Sequence, residues 1–138
     1  MRLTPRVNPV NNLHPMDKRV LVIDDEESFC AFVSLALEKT RRYKVVSTTR
    51  PLQGITLARD LRPDLILLDI KMAQMDGSQV AERLLEDPQT KSIPIAFVTG
   101  LVTNAETKHQ QMEVAGRTFI AKPVTRDELL QAVDRLLA

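Results

Sequence analysis

Asp24, Asp25, Asp69, Thr99 and Lys122 all stand at or just beyond the ends of short apolar runs. If those ends converge, carboxylates, a hydroxyl and an ammonium share a small volume. Two carboxylates 4 Å apart repel by about 4 kcal/mol at a typical effective dielectric, so a cation must accompany them. Mg²⁺ suits such a place, with Mn²⁺ as a substitute, because it takes hard oxygen ligands and commonly completes its shell with phosphate oxygens. Lys122 supplies one positive charge and Thr99 a hydroxyl donor, both apt for phosphoryl oxygens. The chemistry this set supports is phosphoryl transfer, which depends on in-line positioning and charge stabilisation. Asp69 is the candidate nucleophile, forming an acyl phosphate.

The elements that must position these groups are legible as alternating patterns. Leu65-Ile66-Leu67-Leu68 is a run of large apolar residues bounded by turn formers, which predicts a strand buried on both faces of a parallel sheet. Asp69 then lies at its carboxyl end, the edge of open α/β sheets where ligands bind. Taken alone, Asp69 could equally be a strand-ending turn residue.

Lys18–Ile23, Lys44–Thr48, Ile93–Val98 and Arg117–Ala121 read as further strands. Between them, Phe29, Phe32, Val33, Ala36 and Leu37 form one helical stripe, with Glu26 and Glu27 near the positive N-terminal end of that helix. Cys30 lies off this stripe and reads as filler. Pro51 opens a second helix that ends before Pro63, and Val80, Ala81, Leu84 and Leu85 mark a third.

The fourth helix is the least patterned. Thr103 and Glu106 make a capping box, Lys108 to Met112 forms a mostly polar body, and Gly116 can end it. Thr125 and Glu128 cap a strongly specified last helix. Five strands alternating with five helices predict an α/β fold, a parallel sheet covered on both faces by right-handed crossovers.

Composition restricts the function classes. With 138 residues, 43% hydrophobic and 27% charged, the chain reads as one globular domain. A net charge of +1 gives no basic field for nucleic acid, and no apolar run approaches membrane-spanning length. One cysteine, Cys30, cannot form an internal disulfide, which fits a reducing, cytoplasmic setting. Residues 1–17 lack periodicity and read as a mobile leader before a folded unit over 18–138, while His14 and His109 read as surface residues. Sequence to Ala138 leaves no room for an attached output module, so the expected output partner is a separate protein, unless these residues are cut from a longer chain.

The combination resembles the receiver domain of two-component response regulators across roughly residues 18–138. Asp24-Asp25-Glu26 is similar to the family's acidic pair, Asp69 with Met72, Met75, Asp76 and Gly77 to the phosphoacceptor loop, Thr99 to the switch hydroxyl, and Lys122-Pro123 to the lysine-proline pair. Phe119 falls where the family keeps a switch aromatic. The resemblance implies a flavodoxin-like, doubly wound, five-stranded parallel sheet in order 2-1-3-4-5 with five helices. That order is the one known for such proteins.

It also implies that Asp24, Asp25, Asp69 and the Lys71 backbone carbonyl hold Mg²⁺, with Asp24 acting largely through water, and that the Lys122-Pro123 peptide is cis. Phosphorylation of Asp69 by a sensor histidine kinase or histidine phosphotransfer protein would then draw in Thr99 and Lys122. That movement would turn Phe119 inward and alter a face made by the fourth helix, fifth strand and last helix, with dimerisation on activation as one outcome. Ala73 departs from the loop's usual proline, which would loosen the loop.

Two other classes fit parts of this pattern. An aspartyl-nucleophile phosphohydrolase needs a second Asp two residues after the first, where this chain has Lys71, and a substrate-covering cap domain. A receiver-like interaction scaffold would not need every reactive position filled. The favoured reading is a phosphoacceptor switch that does not turn over external substrates, embeds in no membrane and contacts no nucleic acid directly.

Overall fold

The computed structural model describes residues 17–100, 117–138 and the backbone of 111–114. Its elements run β1 (Lys18–Ile23), α1 (Glu27–Glu38), β2 (Tyr43–Thr48), α2 (Pro51–Leu61), β3 (Leu65–Asp69), α3 (Gly77–Glu86), β4 (Ile95–Thr99), β5 (Gln111–Val114), β6 (Arg117–Ala121) and α4 (Arg126–Leu136). The strands form a sheet in order β2-β1-β3-β4-β6-β5. All but β5 are parallel, so the order 2-1-3-4-5 expected for the five parallel strands holds, and the fold is flavodoxin-like.

Both sheet faces are apolar because consecutive strand residues point to opposite sides. Val20, Val22, Leu65, Leu67, Ala96, Val98 and Ile120 pack beneath α1 and α4. Leu21, Ile23, Ile66, Leu68 and Phe97 pack beneath α2 and α3. Each central strand therefore contributes to two cores, which is why β3 carries no polar residue before Asp69. The buried residues of α1 are Cys30, Val33, Ala36 and Leu37, so Cys30 belongs to the packed stripe, and its Sγ–H points to the Asp24 carbonyl oxygen at 3.4 Å.

The fourth helix needs correction. Its capping box, Thr103 and Glu106, lies outside the described residues, as do residues 1–16, His14 and His109. Gln111 and Met112, expected in its polar body, instead belong to β5, which pairs antiparallel with β6 in the register Val114↔Arg117. Gln-Met-Glu-Val alternates polar and apolar, the period of a strand, and only residues 115–116 separate the two strands, a link short enough for a hairpin. The sheet thus has an added antiparallel edge, and four helices, not five, occur among the described residues.

Strand register delivers the polar residues to one edge. Ile23 is paired with Leu68, so Asp24 and Asp69 are the next residues on adjacent strands. Asp69 pairs with Val98, which puts Thr99 one step on, and Thr99 pairs with Ala121, which puts Lys122 next. The Lys122 backbone N–H donates to the Thr99 carbonyl oxygen at 2.9 Å, continuing the ladder one rung past β6.

Candidate functional site

Ligand oxygens of Asp24, Asp25 and Asp69 lie within 4.8 Å of one another. Asp24 and Asp69 are buried, and Asp25 is exposed at the rim. The backbone turns that hold them are local. The Glu26 N–H donates to Asp24 Oδ1 at 2.9 Å, an Asx-type turn at the end of β1. The Ala73 N–H donates to Asp25 Oδ2 at 3.1 Å, and the Lys71 N–H donates to the Asp69 carboxylate.

The loop between β3 and α3 closes tightly over the strand end. The Gly77 N–H donates to the Ile70 carbonyl oxygen at 2.7 Å. A Cβ on Gly77 would lie 2.1 Å from the Asp69 carbonyl oxygen and 2.8 Å from the Ile70 Cα, both backbone atoms that cannot swing aside. Glycine here is a packing requirement. Asp76 and Gln79 form a reciprocal capping box that starts α3 beside the loop.

Lys122 brings the positive charge. Its Nζ is 2.8 Å from Asp24 Oδ2, 2.7 Å from Glu26 Oε1 and 3.9 Å from Asp69 Oδ1. It also lies 4.5 Å from the centre of the Phe29 ring. Burial alone would lower the Lys122 pKa, but the bonds to Asp24 and Glu26 outweigh it and hold the ammonium above its ordinary value. Asp24 Oδ2 meets that ammonium but has no donor in hydrogen-bonding alignment.

The carboxylates are poorly compensated. Burial, then the charge of Asp24, pushes Asp69 up to about 6, against the pull of Lys122 and the Lys71 N–H. Burial also raises Asp24, more than Lys122 and the Glu26 N–H lower it. A single ammonium therefore leaves the site electron-rich, and its donors are all hard oxygens. Asp24 Oδ2, the charge imbalance and the oxygen-only donor set fit Mg²⁺.

The sequence-predicted residues divide into three groups. Asp24, Asp25, Asp69 and Lys122 come together. Thr99 is buried at the end of β4, beside the pocket through its backbone bond to Lys122, and the Lys122-Pro123 peptide is cis. Phe119 stands three residues back on β6, half-buried, stacked on Phe97 with ring centres 5.3 Å apart. Sequence reasoning missed the bonds that Glu26 and Ala73 make. Its place in the sequence predicts a helix-terminus role for Glu26, yet it caps α1 without a side-chain cap bond and its carboxylate pairs with Lys122. The loop expected to be loosened by Ala73 is instead tied to Asp25 by an N–H that a proline would lack.

The chain is similar to known proteins over most of its length. The chain is 30% identical over 126 residues to Protein PilH of Pseudomonas aeruginosa, covering 87% of this chain and 98% of that protein. It is 34% identical over 119 residues to the DNA-binding dual master transcriptional regulator RpaA of Synechocystis, covering 86% of this chain but 48% of that protein. The chain thus spans about half the length of RpaA and nearly all of PilH. Among solved structures, the chemotaxis protein CheY4 of Vibrio cholerae superposes with a TM-score of 0.74 at 26% identity, covering 88% of this chain and 99% of that one. No helix among the described residues is long and apolar enough to cross a membrane. The family model for the response regulator receiver domain matches residues 20–134, and the chain belongs to that family of phosphorylation-controlled signalling switches, whose members bind Mg²⁺ through an acidic pocket.

Proposed function

We propose that Asp69 is the phosphoacceptor of this switch. A carboxylate oxygen of Asp69 attacks the phosphorus of a phosphohistidine or acyl phosphate donor. The new Asp69 O–P bond forms as the donor's bond to phosphorus breaks, and the leaving group departs with the bonding pair. The observation that carries this reading is the meeting of Asp24, Asp25 and Asp69 within 4.8 Å beside the Lys122 ammonium.

Asp24, Asp25, Asp69 and the Lys71 carbonyl are the groups assigned to hold Mg²⁺, which supplies charge neutralisation for the phosphoryl oxygens when bound. Lys122 and the Thr99 hydroxyl are assigned to the remaining phosphoryl oxygens. Phe119, stacked on Phe97, is assigned the transmitting role, with the signal leaving through the face that includes β6 and α4. Residues 18–138 are the folded unit of this reading. The donor is a sensor histidine kinase or histidine phosphotransfer protein, and the compartment the cytoplasm. The chain does not turn over external phosphomonoesters, since Lys71 occupies the place of the acid-base Asp such hydrolases use.

Incubation with Mg²⁺ and acetyl phosphate, read by intact mass, tests the assignment. The expected result is one hydroxylamine-labile phosphoryl adduct on wild type and none on Asp69→Asn. An unmodified wild type under saturating donor would instead support the interaction scaffold, and multiple turnover of an external phosphomonoester would support the hydrolase.

A further inference from the structure

The Lys122 ammonium does not rest on the carboxylate it is assigned to serve. Its short ion pairs go to Asp24 at 2.8 Å and Glu26 at 2.7 Å, while Asp69 is 3.9 Å away, and one flank lies against the Phe29 ring. Glu26 is the unusual partner. It precedes the first turn of α1, where a side chain could cap free N–H groups, yet it makes no such bond and reaches a residue 96 positions away. Asp24 is almost wholly buried, whereas the Glu26 side chain is 58% exposed. The Glu26 carboxylate can therefore swing into water at little desolvation cost, which the Asp24 carboxylate cannot.

We propose that Glu26 is a latch: a positioning residue that holds the Lys122 ammonium off Asp69 until phosphorylation, and so slows acquisition of the phosphoryl group. The proposal rests on the assignment of Asp69 as acceptor. A phosphoryl oxygen on Asp69 would compete with the Glu26 carboxylate for the Lys122 ammonium, so the Glu26–Lys122 pair favours the unphosphorylated state. Exposed ion pairs are worth roughly 0.2–1 kcal/mol, which converts to between about 1.4-fold and fivefold in rate.

The test compares wild type, Glu26→Gln, Glu26→Asp and Glu27→Gln. Glu26→Gln keeps length and removes charge. Glu26→Asp keeps charge but shortens the reach. Glu27→Gln removes the adjacent charge, whose residue is exposed in the first turn of α1. With Mg²⁺ and acetyl phosphate, both Glu26 variants are expected to form the Asp69 adduct about threefold faster than wild type, within the ion-pair range above, and Glu27→Gln at the wild-type rate. In metal-free, donor-free protein, the Lys122 Nζ resonance and the Phe29 ring protons are expected to shift in the Glu26 variants alone.

An adduct that forms at the wild-type rate in Glu26→Gln overturns the latch, as does equal acceleration by Glu27→Gln, which would reduce the effect to general charge. Absence of any adduct on wild type overturns the acceptor assignment itself and the latch with it. Labelling at an unchanged rate overturns the latch alone.

Discussion

At Asp69, the same burial that makes a reactive carboxylate makes an unstable one. Its pKa in the folded chain is pushed from 3.8 up to about 6, mainly by burial and then by the charge of Asp24. The folded state therefore holds this proton more tightly than the unfolded state, and stability from it is fully present below about pH 4 and lost as pH rises toward 6. Above that window the charged carboxylate costs on the order of 2–3 kcal/mol in the absence of metal. Asp69→Asn does not titrate. Metal-free Asp69→Asn is expected to melt above wild type at pH 7.5 and level with it near pH 4. Added Mg²⁺ should raise wild type more than the variant, since a ligand bound only by the native state stabilises it. Thermal melts across pH, with and without Mg²⁺, check this. A variant that melts at or below wild type at pH 7.5 would show that Asp69 carries no such penalty.

At the level of elements, the loop between β3 and α3 carries the sharpest expectation. Ala73 donates its N–H to Asp25 Oδ2, and Asp25 is otherwise an exposed rim residue with freedom to turn away from its neighbours. Ala73→Pro removes the donor while leaving the pocket's carboxylates in place. A hydrogen bond to a charged group contributes about 1.5 kcal/mol or more when sheltered and less when exposed, so Mg²⁺ affinity is expected to fall roughly threefold to tenfold by calorimetry. Unchanged or tighter binding would show that the loop holds Asp25 without that bond.

The same loop marks the boundary of what the sequence made legible. Asp69 was readable because β3 is an unbroken apolar run up to its last residue, and Asp24 and Lys122 were readable because each follows a short apolar stretch, residues 20–23 in β1 and 119–121 in β6. The Ala73 bond and the Glu26–Lys122 pair were not, because each joins groups 48 and 96 residues apart through a backbone N–H or an exposed carboxylate that leaves no periodic trace. β5 escaped because four residues of alternating polarity are too few to outweigh the capping signals that precede them.

Across the whole molecule, the edge strand β2 and the C-terminal helix α4 are joined through one side chain. Tyr43 opens β2, is 5% exposed, and donates its hydroxyl to Asp134 on α4, which also pairs with Arg42 at 3.1 Å. The bond closes the first core, where α1 lies over β2 with α4 at its side. Burial, and then the Asp134 carboxylate that needs the phenolic proton, pushes Tyr43 up to about 12. The unfolded chain would release that proton near pH 10. Stability contributed by Tyr43 is thus complete below pH 10 and lost as pH rises to about 12, by on the order of 2 kcal/mol. Tyr43→Phe removes the titration together with the bond. It is expected to cost about 1 kcal/mol at pH 7 and to flatten the alkaline limb, so the wild-type denaturant midpoint falls to and then below the variant's between pH 10 and 12. Parallel midpoints across that range would show that the Tyr43–Asp134 bond does not help hold α4 to β2.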